Sequence, residues 1–188
     1  MKLKNILTAA FVLFAITVNA KTVKVDTKNS NIEWIGKKIG GQHNGAIQLK
    51  EGVLKFKNGN IQSGEFVVDM NTITNTDLDS KTYQDKLVGH LKSDDFFGVA
   101  KYPEAKLHII SSTPFNNNET TVTGNITIKG ETEKITFKVK RSNNIYTASL
   151  EVDRSHFNVR YGSNSFFDNL GNKAIDNIFT LNIKLITE

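Results

Sequence analysis

The side chains in this chain best suited to metal binding or proton transfer are His43, His90, His108 and His156. Two ligands on one strand or helix face need short regular spacings, as in His-Glu-x-x-His, and these four have none. They read as isolated surface or half-buried imidazoles, and no metal is expected. Asn75-Thr76-Asp77-Leu78-Asp79 opens like a calcium loop, but Ser80 stands where Gly is needed and Lys86 where a bidentate Glu belongs. The segment reads instead as a turn with a helix cap. No Gly-x-Ser-x-Gly elbow offers a serine nucleophile, and Ile39-Gly40-Gly41 and Lys129-Gly130 sit in no phosphate-loop or dinucleotide pattern. Asp94-Asp95 has the chemistry for acid–base work but reads as a solvated pair. The chain has no cysteine, which removes thiolate catalysis, disulfides, iron–sulfur clusters and Cys-ligated zinc. The residues make no positive case for an enzyme, and no cofactor is expected.

The elements that carry these residues are mostly strands. Ile135, Phe137 and Val139 alternate with lysines and threonine, and Phe179, Leu181, Ile183 and Leu185 alternate with Thr180, Asn182 and Lys184. The same period of two runs through Leu54-Phe56, Ala148-Leu150-Val152, Phe66-Val68-Met70, Leu107-Ile109, Val122-Ile128, Val23-Val25 and Ile32-Trp34. Such alternation predicts antiparallel strands with one buried and one wet face. Turn signals separate them at Lys57-Asn58-Gly59-Asn60, Pro114–Asn118, Lys129-Gly130-Glu131 and Ser142-Asn143-Asn144. Asp79–Leu91 departs from the pattern, with Tyr83, Leu87, Val88 and Leu91 on one helical stripe and Asp79 or Ser80 as cap. A sandwich or closed barrel with one inserted amphipathic helix is therefore expected. In a barrel the inward residues either fill the interior or line a cavity for an elongated apolar ligand.

The chain has 188 residues and a formal net charge of +5. Basic Met1–Asn5, apolar Ile6–Val18 and the compact Val18-Asn19-Ala20 have the layout of a cleavable signal peptide over residues 1–20, leaving one domain over 21–188. Losing Lys2 and Lys4 lowers the charge from +5 to +3, too mild an excess to argue for nucleic acid. Export without cysteine suits a bacterial periplasm.

The run His90-Leu91-Lys92-Ser93-Asp94-Asp95-Phe96-Phe97-Gly98-Val99-Ala100-Lys101-Tyr102-Pro103 resembles the hallmark of the YceI-like family of periplasmic polyisoprenoid-binding proteins. Val122–Gly130 is similar to its "VTG-x-LTI-x-G" strand and turn, Asp26–Trp34 to its "D-x-x-x-S-x-I-x-W" opening, and Arg154–Val159 to its "R-S-x-F-x-V" element. Gly41–Gly45 and Asp69–Ile73 extend the likeness over nearly the whole chain after residue 20. Two stretches depart from the pattern: Lys129-Gly130 replaces a His-Gly turn, and Arg160–Asn169 replaces a Trp-Asn and Gly-Gly stretch.

The resemblance implies an all-β, lipocalin-like antiparallel barrel of about eight strands that holds a polyisoprenoid or isoprenoid-quinone type of lipid. On this chain it implies Trp34, Phe66, Val68, Leu107, Ile109, Phe137, Leu150, Phe179 and Leu181 as the ligand-binding interior. His43, Phe96, Phe97, Arg160, Tyr161, Phe166 and Phe167 are expected at the pocket mouth. The protein is expected to carry or sequester this lipid without stable membrane insertion, its oligomeric state open and a homodimer one form of it. An outer-membrane barrel and an enzyme acting on a bound lipid or quinone are the competing readings.

Overall fold

The computed structural model describes residues 19–188; the expected signal peptide lies outside them apart from its last two residues. Period-two patterning becomes nine antiparallel strands: β1 (Ala20–Lys24), β2 (Asn31–Lys38), β3 (Gly41–Lys57), β4 (Asn60–Asp69), β5 (Glu104–Ser112), β6 (Glu119–Ile128), β7 (Glu131–Ser142), β8 (Ile145–Asp153) and β9 (Ile175–Ile186). From β2 through β9, eight of them close into a barrel, because β2 pairs with β9 while β3 pairs with β4. The extra strand, β1, lies along Val53–Lys57 of β3, on the edge whose Gly41–Ile47 stretch holds β2. Val25 then bridges to Thr187 beyond β9. The lipocalin-like, all-β expectation is met.

One strand reading is extended, and the readings at Met70 and along the helix are corrected. Leu54 and Phe56 belong to one long strand that begins at Gly41, because β3 must reach β2, β4 and β1 in turn. Met70 sits in a 3-10 turn, Met70–Thr72, started by Asp69, whose carboxylate accepts the Asn71 N–H at 2.9 Å. Helix α1 spans Lys81–Lys92 behind Ser80, but neither Asp79 nor Ser80 caps it with a side-chain hydrogen bond. Tyr83 leaves the expected stripe and is exposed, with the Lys86 ammonium 5.8 Å from its ring centre. Leu87, Val88 and Leu91 of the later turns are half-buried.

Register places the β2–β3 hairpin, α1, the Ser93–Pro103 loop, the Lys129-Gly130 turn, the 3-10 turn Arg154–Phe157 and the 158–174 loop at one end of the barrel. Buried Arg154 ties this end together. Its Nη1 donates to the Val159 carbonyl at 2.8 Å, Nε to Asp176 at 2.9 Å and Nη2 to Ile175 at 3.0 Å. A planar fork of donors meets three fixed carbonyls here, a geometry that an ammonium lacks. Lys129 takes the left-handed turn position that precedes Gly130, and its ammonium donates to the carbonyls of Asp94 at 2.9 Å and Asn158 at 3.3 Å. Lys129 thus clamps two loops of the capped end.

After β4 the chain continues alongside β3 without becoming a strand: Thr74 N–H donates to Ala46 and Thr76 N–H to Asn44, each at 3.0 Å. The Trp34 indole reaches over to donate to the Thr74 carbonyl at 3.0 Å. This crossing requires Gly45 beneath it, because a Cβ there would lie 1.8 Å from the Thr74 oxygen and 2.8 Å from Trp34 Nε1. Neither neighbour can yield without losing that bond. Gly45→Ala is expected to destabilise the protein by at least about 2 kcal/mol. Urea unfolding followed by tryptophan fluorescence reads both the loss and the indole that reports it.

Candidate functional site

Closing eight strands leaves more room than the inward side chains fill. Trp34, Val68, Leu107, Phe137, Phe179 and Leu181 all point inward yet are only half-buried, since part of each faces an internal cavity of about 240 Å³. That is far above the ~10–15 Å³ that holds one water, so the space is not a packing defect. Phe66, Ile109 and Leu150 complete the interior set expected from the alternation, and every one of those residues borders the cavity. Ile47, Leu49, Ala105, Ile126, Ala148, Ile183 and Leu185 also line it. They carry the same alternation signal but were not among the bulky residues singled out.

Strand β9 shows most directly where the cavity runs. None of its residues is fully buried, although Phe179, Leu181, Ile183 and Leu185 form its inner face. The Phe56 and Tyr146 rings, 6.0 Å apart, lie toward the end opposite α1. At the helix end Leu87 and Leu91 of α1, with Phe96 and Phe97, form a roof, and Phe97 meets Phe179 edge-on at 6.3 Å. Polar side chains border the cavity mainly at this end, among them Lys37, Lys38, His43 and Asp176.

His43 is placed by a network outside the apolar interior. Its Nδ1 donates to Asp77 Oδ2 at 2.8 Å; the carboxylate only accepts, so this nitrogen carries the proton. Asp77 Oδ1 accepts the Asn44 N–H at 2.8 Å, and the Asn75 amide donates to it as well as to the Asn44 carbonyl. The calcium-like segment is therefore a polar strap against β3. Among the described residues no group of three or more His, Cys, Asp or Glu is placed to hold a metal.

The expected mouth residues divide. His43, Phe96 and Phe97 border the cavity, while Arg160, Tyr161, Phe166 and Phe167 do not. Tyr161 packs instead on the outside of the roof, its ring 4.5 Å from His90 and 5.6 Å from Phe96. The Arg160 guanidinium covers Phe166 at 4.9 Å, and Phe167 is exposed. The reason for this correction lies in the loop: the buried Ser163 hydroxyl donates to Asn177 Oδ1 and accepts the Ser165 N–H, and the Asn177 amide donates to Ser165 Oγ. The Ser163 carbonyl accepts the Phe166 and Phe167 N–H groups, turning both rings outward.

Lys55, Lys57, Lys134, Lys138, Lys140 and Lys184 are exposed on the outer wall. A polar exterior around an apolar interior is the inverse of a bilayer-spanning barrel, whose outer band is apolar. No described helix is long and apolar enough to cross a membrane.

Comparison with known proteins agrees with this architecture: the YceI-like domain matches residues 23–186. The chain belongs to the YceI-like family. Within it, the UPF0312 protein of Shewanella denitrificans (strain OS217) is 30% identical over 135 residues, covering 70% of this chain and 68% of that one. The crystal structure of Burkholderia cenocepacia BcnA is similar at 25% identity and a TM-score of 0.63, over 86% of this chain and 98% of the other. A polyisoprenoid binding domain from Saccharophagus degradans shares the fold at 14% identity and a TM-score of 0.60, over 88% and 97% of the two chains. The YceI-like motif around Phe96-Phe97 thus forms the roof of the cavity, and the Arg154 motif the tie beneath it.

The strap beside this site has a pH signature. Partial burial pushes the Asp77 acid toward its neutral form, but the Asn44 N–H, His43 and Asn75 outweigh it and hold the carboxyl below its ordinary value. A carboxyl lowered on folding stabilises above its unfolded pKa of about 3.9, and that contribution fades as pH falls through the folded value. The difference in urea midpoint between the wild type and Asp77→Ala is expected to be larger near neutrality than in acid. Below pH ~4 it shrinks, read by the same unfolding assay across pH.

Proposed function

We propose that the protein is a periplasmic binding protein that carries or sequesters an elongated apolar lipid of polyisoprenoid or isoprenoid-quinone type inside the barrel, without catalysing its conversion. The observation that carries this reading is the cavity itself, large and with a wall that is mainly Ile, Leu, Val, Phe and Trp. Water there lacks the hydrogen-bonding partners that ordered internal water needs. A hydrocarbon chain needs none, and each methylene it buries contributes about 0.8 kcal/mol. The name of the Saccharophagus domain agrees with that ligand class, while its likeness to this chain is one of fold. The signal-like residues 1–20 and the start of the family match at residue 23 support export.

A binding role without chemistry is supported by the placement of polar groups. The His43–Asp77 pair stands at the edge of the cavity, and the middle of the lining holds no facing acid and base. Alanine at His43 is expected to leave bound lipid unaltered in structure.

Native mass spectrometry of protein purified from a bacterial lysate is expected to show a bound lipid, identified after organic extraction. Ala148 is a small inward residue on the cavity wall. Ala148→Trp is expected to occupy the space and reduce bound lipid at least about tenfold while the protein stays folded, because the new ring enters a void. Protein that is empty as purified and takes up no lipid from a bacterial extract overturns the reading.

A further inference from the structure

The large apolar side chains left exposed are not scattered over the barrel. Ile39 is 56% exposed, Tyr161 46%, Phe166 38% and Phe167 49%, and all belong to the capped end. Tyr83 on α1 and Ile178 at the start of β9 lie at the same end, and among the described residues of this kind only Ile110 lies away from it. Single exposed apolar residues are ordinary, but a group gathered at one end of a small protein marks a contact surface.

This surface is continuous with the cavity. The Ile39 N–H donates to the Ala174 carbonyl at 3.4 Å, and the Ile175 N–H donates to Gly162 at 2.8 Å, joining the hairpin tip and the Tyr161–Phe167 loop to a residue of the lining. Tyr161 rests on Phe96, whose ring borders the cavity. Lys37 and Lys38 reach the lining beside Ile39, with Arg160 and Lys173 on the adjoining loop. The Asp168 and Asp176 carboxylates are interspersed with these four cations, and Asp95 pairs with His90 at 3.7 Å beside Tyr161.

We propose that this end is a peripheral docking face for an anionic lipid bilayer, so that the roof of the cavity opens against the membrane surface. Exposed aromatics beside lysine and arginine suit the headgroup boundary, where rings enter the acyl margin and cations meet anionic headgroups. The inference rests on the lipid-binding reading: a long apolar chain leaves a bilayer with least exposure to water when the cavity mouth touches that bilayer. The polar outer wall keeps the rest of the barrel in water, so contact is peripheral rather than spanning.

Vesicle flotation tests the proposal with two lipid compositions. The purified protein is expected to float with vesicles of phosphatidylethanolamine and phosphatidylglycerol, less with phosphatidylcholine alone, and less as salt is raised. Phe166→Ser with Phe167→Ser, and separately Ile39→Ser, are expected to weaken this association at least about tenfold, whereas Ile110→Ser at the far end leaves it intact. In the same variants, fluorescence of cis-parinaric acid, an apolar chain probe taken up from solution, is expected to be unchanged.

Wild-type protein that binds the probe but does not float overturns the docking proposal and leaves the cavity reading standing. Failure to bind the probe, with vesicle association intact and sensitive to the variants, overturns the cavity reading instead. If light scattering shows a dimer that the Phe166 and Phe167 variant dissociates, with no flotation of either protein, the face belongs to a second copy of the chain and the membrane proposal fails.

Discussion

A strand whose edges are unpaired leaves a row of backbone donors and acceptors seeking partners, and in this chain closure of the wall supplies them. Pairing of β2 with β9 and of β3 with β4 completes the ring, and the long β3 makes it possible by serving two neighbours in succession. Once the ring is closed, its strand number sets a width that the side chains did not choose. Inward Ala105, Ala148 and Val68 are too small to span it, so the interior is lined rather than filled. The cavity is thus a consequence of closure with modest side chains, and no separate binding element had to be added.

Closure is least complete between β7 and β8. Only Val139–Ser142 pairs with Ile145–Ala148, whereas β6 and β7 pair over ten positions and β8 and β9 over nine. Toward the capped end the two strands diverge. Phe157 and Val159, both almost wholly buried after the 3-10 turn, pack there with Leu150, Val152 and partly buried Ile135 and Phe137. Arg154 then fixes that segment to β9 through three carbonyls. The second apolar cluster of the molecule repairs with side chains what the backbone ladder leaves open.

The alternation of apolar and polar residues made the strands and the inward set legible in the sequence, because facing is decided by a period of two that survives any tertiary arrangement. The helix was legible for the same reason, through its period of about 3.6. What lay beyond reach depended on contacts between distant segments. Tyr83 obeys the helical stripe, but the first turn of α1 buries nothing, so periodicity placed a ring on a face that has no partner. Phe166 and Phe167 are aromatic and near the cavity in sequence order, but buried Ser163 and its neighbour Asn177 turn their loop outward. His43 showed no ligand spacing, since its partner Asp77 lies 34 residues away and meets it only because that segment runs along β3.

The same contrast between ladder and loop assigns mobility. Opening the wall anywhere along β8 and β9 breaks consecutive backbone hydrogen bonds, and each exposed pair then costs about 1 kcal/mol or more. The roof is held differently. Helix α1 joins no strand ladder and contributes half-buried Leu87, Val88 and Leu91, with no residue fully buried. Lifting it exposes side-chain surface but breaks no strand ladder. Elements with few buried contacts lie at the low end of local stability, so α1 is the part of this barrel that yields first. Its neighbours resist, because Lys129 and Arg154 pin the loops on either side to backbone carbonyls. Lifting of α1 alone would widen the way into the apolar interior while the wall and the clamped loops stay in place.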